Sequence, residues 1–530
     1  MPTTAADRIP TAARREVDVL VVGGGINGAG IARDLAGRGA RVLLCEQDDL
    51  AAHTSGASTK LIHGGLRYLE YREFSLVRKA LAEREVLLKG APHIMWPMRF
   101  VMPHDPSMRP VWMIRLGLFL YDHLARREVL PGSRTVDLRA HPAGGPLKPQ
   151  FRRGFVYSDG WVDDARLVTL CAVDAAERGA TVLTRTACAD AVRGAEHWHV
   201  RLESARGGTL QVAARSLVNA AGPWAAEFLM AHAHAGERAH LRLVKGSHVV
   251  VPKLFAHDHS YIFQNPDGRI IFAIPYEGDF TLIGTTDVEH HGAIGDAHAD
   301  AEEIAYLCAQ ASRYFSTPVT PAQVVWTYSG VRPLLDDESG NPAAVTRDYR
   351  LELDADGGAP VLSVWGGKIT TFRKLAEEAA DRLAPALEGV ALRGAWTQDE
   401  PLPGGDLRAF LGADAPPAAA VDATFARFVE ALARRHPRVA PALLHGLARR
   451  YGTRAARILA GGIGAEIAPG VFAGELEHLR ANEWARSADD VLWRRTKLGL
   501  HLDAAGRAAV AAWMAEREGA ESEQQDVPLA

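Results

Sequence analysis

Residues 18–28 read Asp18-Val-Leu-Val-Val-Gly-Gly-Gly-Ile-Asn-Gly28, and this stretch decides the fold. An apolar strand runs directly into Gly23-x-Gly25-x-x-Gly28 and then into an amphipathic helix. Gly23 permits the tight turn, Gly25 leaves room for phosphates, and Gly28 lets helix and strand pack closely. The free N–H groups and the dipole at the helix start favour an anion. Ile31 and Leu35 share one face of that helix, and Gly39 is placed to end it. A second strand over residues 41–45 delivers Glu46, eighteen positions past Gly28, where a carboxylate accepts hydrogen bonds from a ribose. Strand, glycine turn, helix, strand and acid together predict a dinucleotide site. A free acid there favours an unphosphorylated ribose, hence FAD or NAD over NADP.

At 530 residues the chain exceeds one simple core, and two or three domains are expected. A hydrophobic content of 47% and a net charge of −4 describe an ordinary globular protein and argue against a general nucleic-acid binder. The four cysteines, Cys45, Cys171, Cys188 and Cys308, lack CxxC pairing. Neither a zinc site nor a disulfide framework is expected, which fits a reducing compartment. Residues 1–16 have no apolar core of a secretory signal and read as a mobile tail. The run at 111–124 is too short to span a bilayer and is interrupted by Arg115. It reads as a half-buried helix or, because Trp, Phe and Tyr lie close to Arg126 and Arg127, as an interfacial patch.

Farther along, residues 53–59 form a polar loop, 74–88 a helix, 153–162 a strand, 165–179 a helix and 181–185 a strand. That alternation predicts a return to the parallel sheet. Residues 216–224 read as a strand entering a glycine turn. From 241 the pattern becomes an antiparallel meander, with strands at 247–251, 269–275 and 280–284. Residues 361–365 form one more strand, and 366–371 open a helix reaching about 379. A Pro/Gly joint at 401–405 precedes residues spaced as helices. The expected division is an FAD-binding domain of 17–75, 153–240 and 330–390, and a substrate-binding domain of 76–152 and 241–329. A helical C-terminal domain (391–517) and a polar, disordered tail (518–530) follow.

The segments Lys60-Leu-Ile-His-Gly-Gly-Leu-Arg-Tyr68 and Tyr328-Ser-Gly-Val-Arg-Pro333 narrow the reading. With them the chain closely resembles the FAD-dependent, aerobic glycerol-3-phosphate dehydrogenases. Matching stretches include 23–30, 54–69, 82–92, 161–166, 218–224, 245–250, 284–287, 326–333, 346–349 and 366–374, continuing to 484–497. Only the two tails fall outside. The resemblance implies an α/β, glutathione-reductase-type Rossmann-like FAD domain, an antiparallel-sheet substrate domain and an all-helical C-terminal cap. It further implies oxidation of sn-glycerol 3-phosphate to dihydroxyacetone phosphate in glycerol and glycerophospholipid catabolism, with electrons passed to membrane quinone. The expected location is cytoplasmic, peripheral on the inner membrane through anionic lipid. A homodimer is an open assembly state.

Oxidising a secondary alcohol with FAD requires a hydride to reach flavin N5, a base for the hydroxyl proton, and a pinned substrate. Arginine forks and a lysine suit a phosphate dianion. Arg332, Arg347, Lys368 and Arg67 are the candidates because each lies in a matching motif, and Tyr68 joins them. His248 and His63 are the candidate bases, since imidazole titrates near working pH. Arg332 is a better stabiliser of a developing alkoxide than a base. For the cofactor, Gly23, Gly25, Ile26, Asn27, Gly28 and Glu46 hold the dinucleotide. Ser58, Thr59, His63, Gly64 and Gly65 line the isoalloxazine, Gly222 borders the ADP half, and Gly366, Gly367, Lys368 and Thr370 open a helix toward the flavin. No metal is expected. The alternatives are an amino-acid or 2-hydroxy-acid oxidase of the same class and a non-catalytic flavin-binding protein.

Overall fold

The computed structural model describes residues 13–105, 109–234, 241–335 and 348–525. Strand β1 (Ala13–Val22), helix α1 (Ile26–Arg38) and strand β2 (Val42–Cys45) form the predicted unit. β1 begins before the expected end of the N-terminal tail, because residues 13–17 pair with Leu210–Ala214. It pairs in parallel with β2 on one side and with Thr209–Asn219 on the other. The sheet continues to Thr181–Leu183 at one end and to Val361–Trp365 and Arg350–Asp354 at the other. The Val19–Val22 end of β1 is apolar without interruption because both its faces are covered there. Val19 and Val21 pack into a core with α1 and the Asp164–Glu177 and Phe372–Leu383 helices. Leu20 and Val22 face a second core built around Trp198 and Trp365. That second layer contains the antiparallel strands Thr186–Arg193 and Trp198–Ser204.

A second sheet of ten strands, mostly antiparallel, carries Leu241–Pro252 between Phe280–Gly284 and Trp326–Leu335. Three expectations change here. Arg153–Val162 does not rejoin the parallel sheet; it pairs with Met95–His104 and Leu61–Ile62 in this second one. Trp326–Leu335 crosses the expected boundary at 330 and lies wholly in the second sheet. Ser260–Gln264 supplies a meander strand that the pattern did not reveal. Arg153–Val162 and Ser260–Gln264 are buried on both faces, so alternation cannot distinguish the sheets, whereas Trp326–Leu335 runs half-buried along the cavity.

Beyond the 401–405 joint, helices from Leu407–Leu411 to Ala504–Gln525 close around their own core of Phe428, Leu432, Leu447, Leu476 and Val510. The last helix runs to Gln525, into the stretch expected to be disordered. All four cysteines are buried and unpaired. Among the described residues no helix is long and apolar enough to cross a membrane, and no cluster of metal-ligating side chains occurs.

Candidate active site

A cavity of about 770 Å³ lies between the two sheets. Its first wall is the turn between β1 and α1. A Cβ on Gly23 would lie 2.4 Å from the Ala220 carbonyl oxygen, and one on Gly28 would lie 1.9 Å from the Gly23 oxygen. Gly28 therefore packs beneath the turn, outside the cavity lining. Gly25 differs: its Cβ would meet only Ser55 Oγ, at 3.1 Å, with open space otherwise. α1 has no side-chain cap at Gly25. The Ile26 N–H donates to Ser55 Oγ at 2.9 Å, so Ser55 sits where the helix dipole emerges. The Glu46 carboxylate accepts from Gly24 N at 2.6 Å and from Asp48 N at 2.9 Å. Burial raises its pKa despite those bonds. These two contacts fix the carboxylate rim and leave each oxygen a second acceptor position. Glu46 and Gln47 line the cavity beside Gly23, Gly25 and Asn27. This cradle fits a dinucleotide.

The opposite end is built by the strand–turn–helix at 361–383. Gly366 and Gly367 have φ of 69° and 100°, conformations that side chains resist. They turn the chain from Val361–Trp365 into the helix. The Gly366 oxygen accepts from Asn27 Nδ2 at 3.1 Å, so the two glycine turns meet. Thr370 Oγ1 accepts from His63 N at 3.1 Å. Lys368 extends its ammonium 3.8 Å from the centre of the Tyr68 ring.

The floor comes from the second sheet. His248 is buried, stacked on Tyr328 at 4.7 Å between ring centres, and its Nε2 lies 2.9 Å from Thr59 Oγ1. The Tyr328 hydroxyl donates to the Ser58 oxygen at 2.9 Å. A Cβ on Gly284 would lie 2.0 Å from the His248 ring, so only glycine admits the imidazole there. Burial, then the Lys60 and Arg332 charges, hold the His248 pKa well below its ordinary value. The ring is neutral at neutral pH. The Arg332 guanidinium donates from Nη2 to the Thr286 oxygen at 2.9 Å and pairs with Asp287 at 2.9 Å.

Gly23, Gly25, Ile26, Asn27, Glu46, Ser58, Thr59, His63, Tyr68, Gly222, His248, Arg332, Gly366, Gly367, Lys368 and Thr370 all line this cavity. Gly64 and Gly65 do not. The Gly64 N–H donates to Tyr121 Oη at 2.7 Å, and Gly65 packs under the Tyr68 ring, which a Cβ would approach to 2.1 Å. Gly64 thus packs on Tyr121 and Leu81, and Gly65 on Tyr68. Arg67 points to Tyr71 Oη, 3.5 Å away, and is absent from the lining. Arg347 lies outside the described residues. The sequence reading passed over Ser55, Phe272, Thr285 and Asp348, all of which line the cavity. Ser55 had a signal in the polar loop at 53–59, and Thr285 and Asp348 lay in the matching stretches 284–287 and 346–349; Phe272 had none.

Residues 18–373 match the family described as FAD dependent oxidoreductase. Residues 395–525 match the C-terminal domain of alpha-glycerophosphate oxidase. The chain is 51% identical to a glycerol-3-phosphate dehydrogenase of Pseudomonas aeruginosa, covering 93% of this chain and 94% of that one. It is 50% identical to a D-erythritol 1-phosphate dehydrogenase of Brucella abortus, covering 94% and 97%. Among solved structures, the glycerol-3-phosphate dehydrogenase of Bacillus halodurans complexed with FAD aligns with a TM-score of 0.74 at 27% identity, covering 95% of this chain and 91% of that one.

Proposed function

The chain belongs to the FAD-dependent glycerol-3-phosphate dehydrogenase family, with FAD as its cofactor, and from that premise we propose that it oxidises sn-glycerol 3-phosphate to dihydroxyacetone phosphate and passes the electrons to membrane quinone. One observation carries the reading. Gly246 and His248 share a face of the Leu241–Pro252 strand. The Arg332 guanidinium lies over Gly246, where a Cβ would be 2.3 Å from Nη2. A fixed cation thus sits beside a buried neutral imidazole in a cavity that also holds Lys368.

Bound FAD supplies the hydride acceptor. His248 takes the hydroxyl proton, which its neutral state allows. Its contact with Thr59 fixes the ring, and its stacking on Tyr328 sets the plane. Arg332 favours the developing alkoxide and, with Lys368 and Arg347, the phosphate. His63 holds the backbone next to the flavin through Thr370. The test replaces Arg332 with Ala and compares glycerol 3-phosphate with free glycerol. Loss of a charge-assisted contact costs ~1.5–3 kcal/mol, roughly tenfold or more in kcat/KM. The loss is expected to be larger on the phosphorylated substrate than on free glycerol, which loses only the alkoxide contact; equal losses on both would take Arg332 off the phosphate.

The 50% identity to the Brucella abortus D-erythritol 1-phosphate dehydrogenase over nearly both chains favours one second reading, a longer polyol phosphate. Both substrates ask for the same cations and base, so relative kcat/KM on the two phosphates decides between them.

Quinone delivery calls for a bilayer surface. On the Val111–His123 helix, Trp112, Met113, Leu116 and Phe119 are exposed, at spacings that share one face. This favours the interfacial reading of that helix. Arg126 is solvent-exposed, whereas Arg127 is turned inward onto Asp122. The proposed contact surface is therefore the aromatic face with Arg126, and Arg127 serves the fold.

A further inference from the structure

Residues 46–53 bring Glu46, Gln47, Ala51, Ala52 and His53 to the cavity wall, and few backbone hydrogen bonds hold the 49–52 turn. Ala52 N donates to the Asp49 oxygen at 3.1 Å, and Ala51 N reaches the Gly24 oxygen only at 3.4 Å. Glu46 is tied to its own sheet through Leu183 and Thr186; at Asp49 the attachment comes from another domain. Arg495 forks onto the Asp49 carboxylate, Nη1 to Oδ2 at 2.6 Å and Nη2 to Oδ1 at 2.7 Å. Arg494 Nε adds a third bond to Oδ2 at 2.6 Å. Arg495 is itself fixed by the Glu483 oxygen, which accepts from Nη2 at 2.7 Å and from Nε at 3.0 Å. The grip extends to the loop's far flank. Asp490 binds Arg185 at 2.6 Å, the Arg185 N–H donates to the Asp48 oxygen at 2.7 Å, and Asp48 holds His53 at 2.7 Å.

Asp49 and Arg495 are almost fully buried. Burying this many charges is costly, and apolar contacts would join two domains with less desolvation. What a bidentate fork adds is geometry: it fixes the carboxylate in two dimensions. The carboxylate so fixed lies three residues from Glu46.

We propose that the helical C-terminal domain is a cofactor-positioning element, in which Arg495 and Arg494 on Asp49 hold the 46–53 wall against the adenosine half of FAD and slow its release. Asp49, Arg494 and Arg495 touch neither substrate nor cofactor in this account; they act through Glu46 and its loop.

The test uses full-length holoenzyme. FAD release is followed as the rise in flavin fluorescence after dilution, and the FAD dissociation constant by titration of apoenzyme. Arg495→Lys keeps the charge and removes the fork; Asp49→Asn removes the acceptor charge; Arg494→Gln removes the bonds to Asp49 and Asp490 at a partly exposed position. Arg454→Gln is the control, since it breaks a pair with Glu177 across the same two domains, away from the loop. The expected result is FAD binding weakened roughly tenfold in Arg495→Lys and Asp49→Asn, and by a few-fold in Arg494→Gln. KM for glycerol 3-phosphate at saturating FAD stays unchanged, and Arg454→Gln releases FAD as wild type does. Should Asp49→Asn fail to fold, the two arginine variants carry the test. Wild-type release in folded Arg495→Lys and Arg494→Gln would overturn the proposal. So would equally fast release from Arg454→Gln, which would make the effect a general loosening of the domains. A wild-type protein that binds no FAD would instead overturn the cofactor reading.

Discussion

The Arg332 guanidinium rests on the bare backbone of Gly246, two residues along the strand from His248: a single methyl there would lie 2.3 Å from Nη2. Glycine thus leaves the room in which Asp287 and the Thr286 oxygen hold the cation. The cation also contributes to keeping His248 neutral, after burial and Lys60.

Gly246→Ala is expected to push Arg332 off its seat while leaving the charge in the protein. The predicted loss is roughly tenfold or more in kcat/KM for glycerol 3-phosphate, since the stabilising group must sit within a fraction of an ångström of the developing charge. Flavin content should stay at wild-type level. Steady-state kinetics on flavin-replete enzyme checks this, and unchanged kcat/KM would show that Arg332 needs no such seat.

Gly25→Val probes the other end of the cavity. An added Cβ meets only Ser55 Oγ, at 3.1 Å, and the side chain projects where the pyrophosphate belongs. The variant should fold with near wild-type stability and purify colourless. Retained flavin at wild-type occupancy would contradict the cradle.

The pH profile follows from His248. Its depressed pKa keeps the ring unprotonated, and able to accept a proton, below the ordinary histidine value of about 6.5. Activity at saturating substrate should therefore hold as pH falls through 6.5 and decline only at lower pH. His248→Asn should lose most of kcat along with that acid limb. A wild-type limb centred at or above 6.5 would assign the base elsewhere.

Much of this was legible in the sequence, for reasons that particular residues make plain. The Gly23–Gly28 turn and Glu46 were readable because backbone geometry and phosphate chemistry leave those positions few alternatives. His248, Arg332 and Lys368 were reachable through motif resemblance, and all three line one cavity. The assignment of Arg153–Val162 to its sheet was not readable, since a strand covered on both faces carries no mark of its neighbours. Gly64 and Gly65 were expected against the flavin; they lie beside the lining residue His63 and pack on Tyr121 and Tyr68 respectively, a one-position distinction that sequence does not mark. Asp49 and Arg495 were invisible as a pair because 446 positions separate them.

Membrane contact is tested on the Val111–His123 helix. Anionic vesicles should co-sediment wild type and release it partly in high salt, because each basic side chain near such a surface contributes only ~1 kcal/mol. Trp112→Ser with Phe119→Ser should abolish binding, whereas Arg126→Glu should weaken it. Arg127→Glu would disturb Asp122 and report on folding instead. If the double aromatic variant sediments as well as wild type, this face is not the anchor.

The central claim is that this cavity oxidises a polyol phosphate with bound FAD. The most direct measurement is anaerobic mixing of purified holoenzyme with sn-glycerol 3-phosphate while the visible flavin absorption is followed. Bleaching is expected with glycerol 3-phosphate, little with free glycerol, and strongly slowed bleaching in Arg332→Ala. Flavin that stays oxidised with glycerol 3-phosphate and with D-erythritol 1-phosphate, but is bleached by an amino acid or a 2-hydroxy acid, would contradict it.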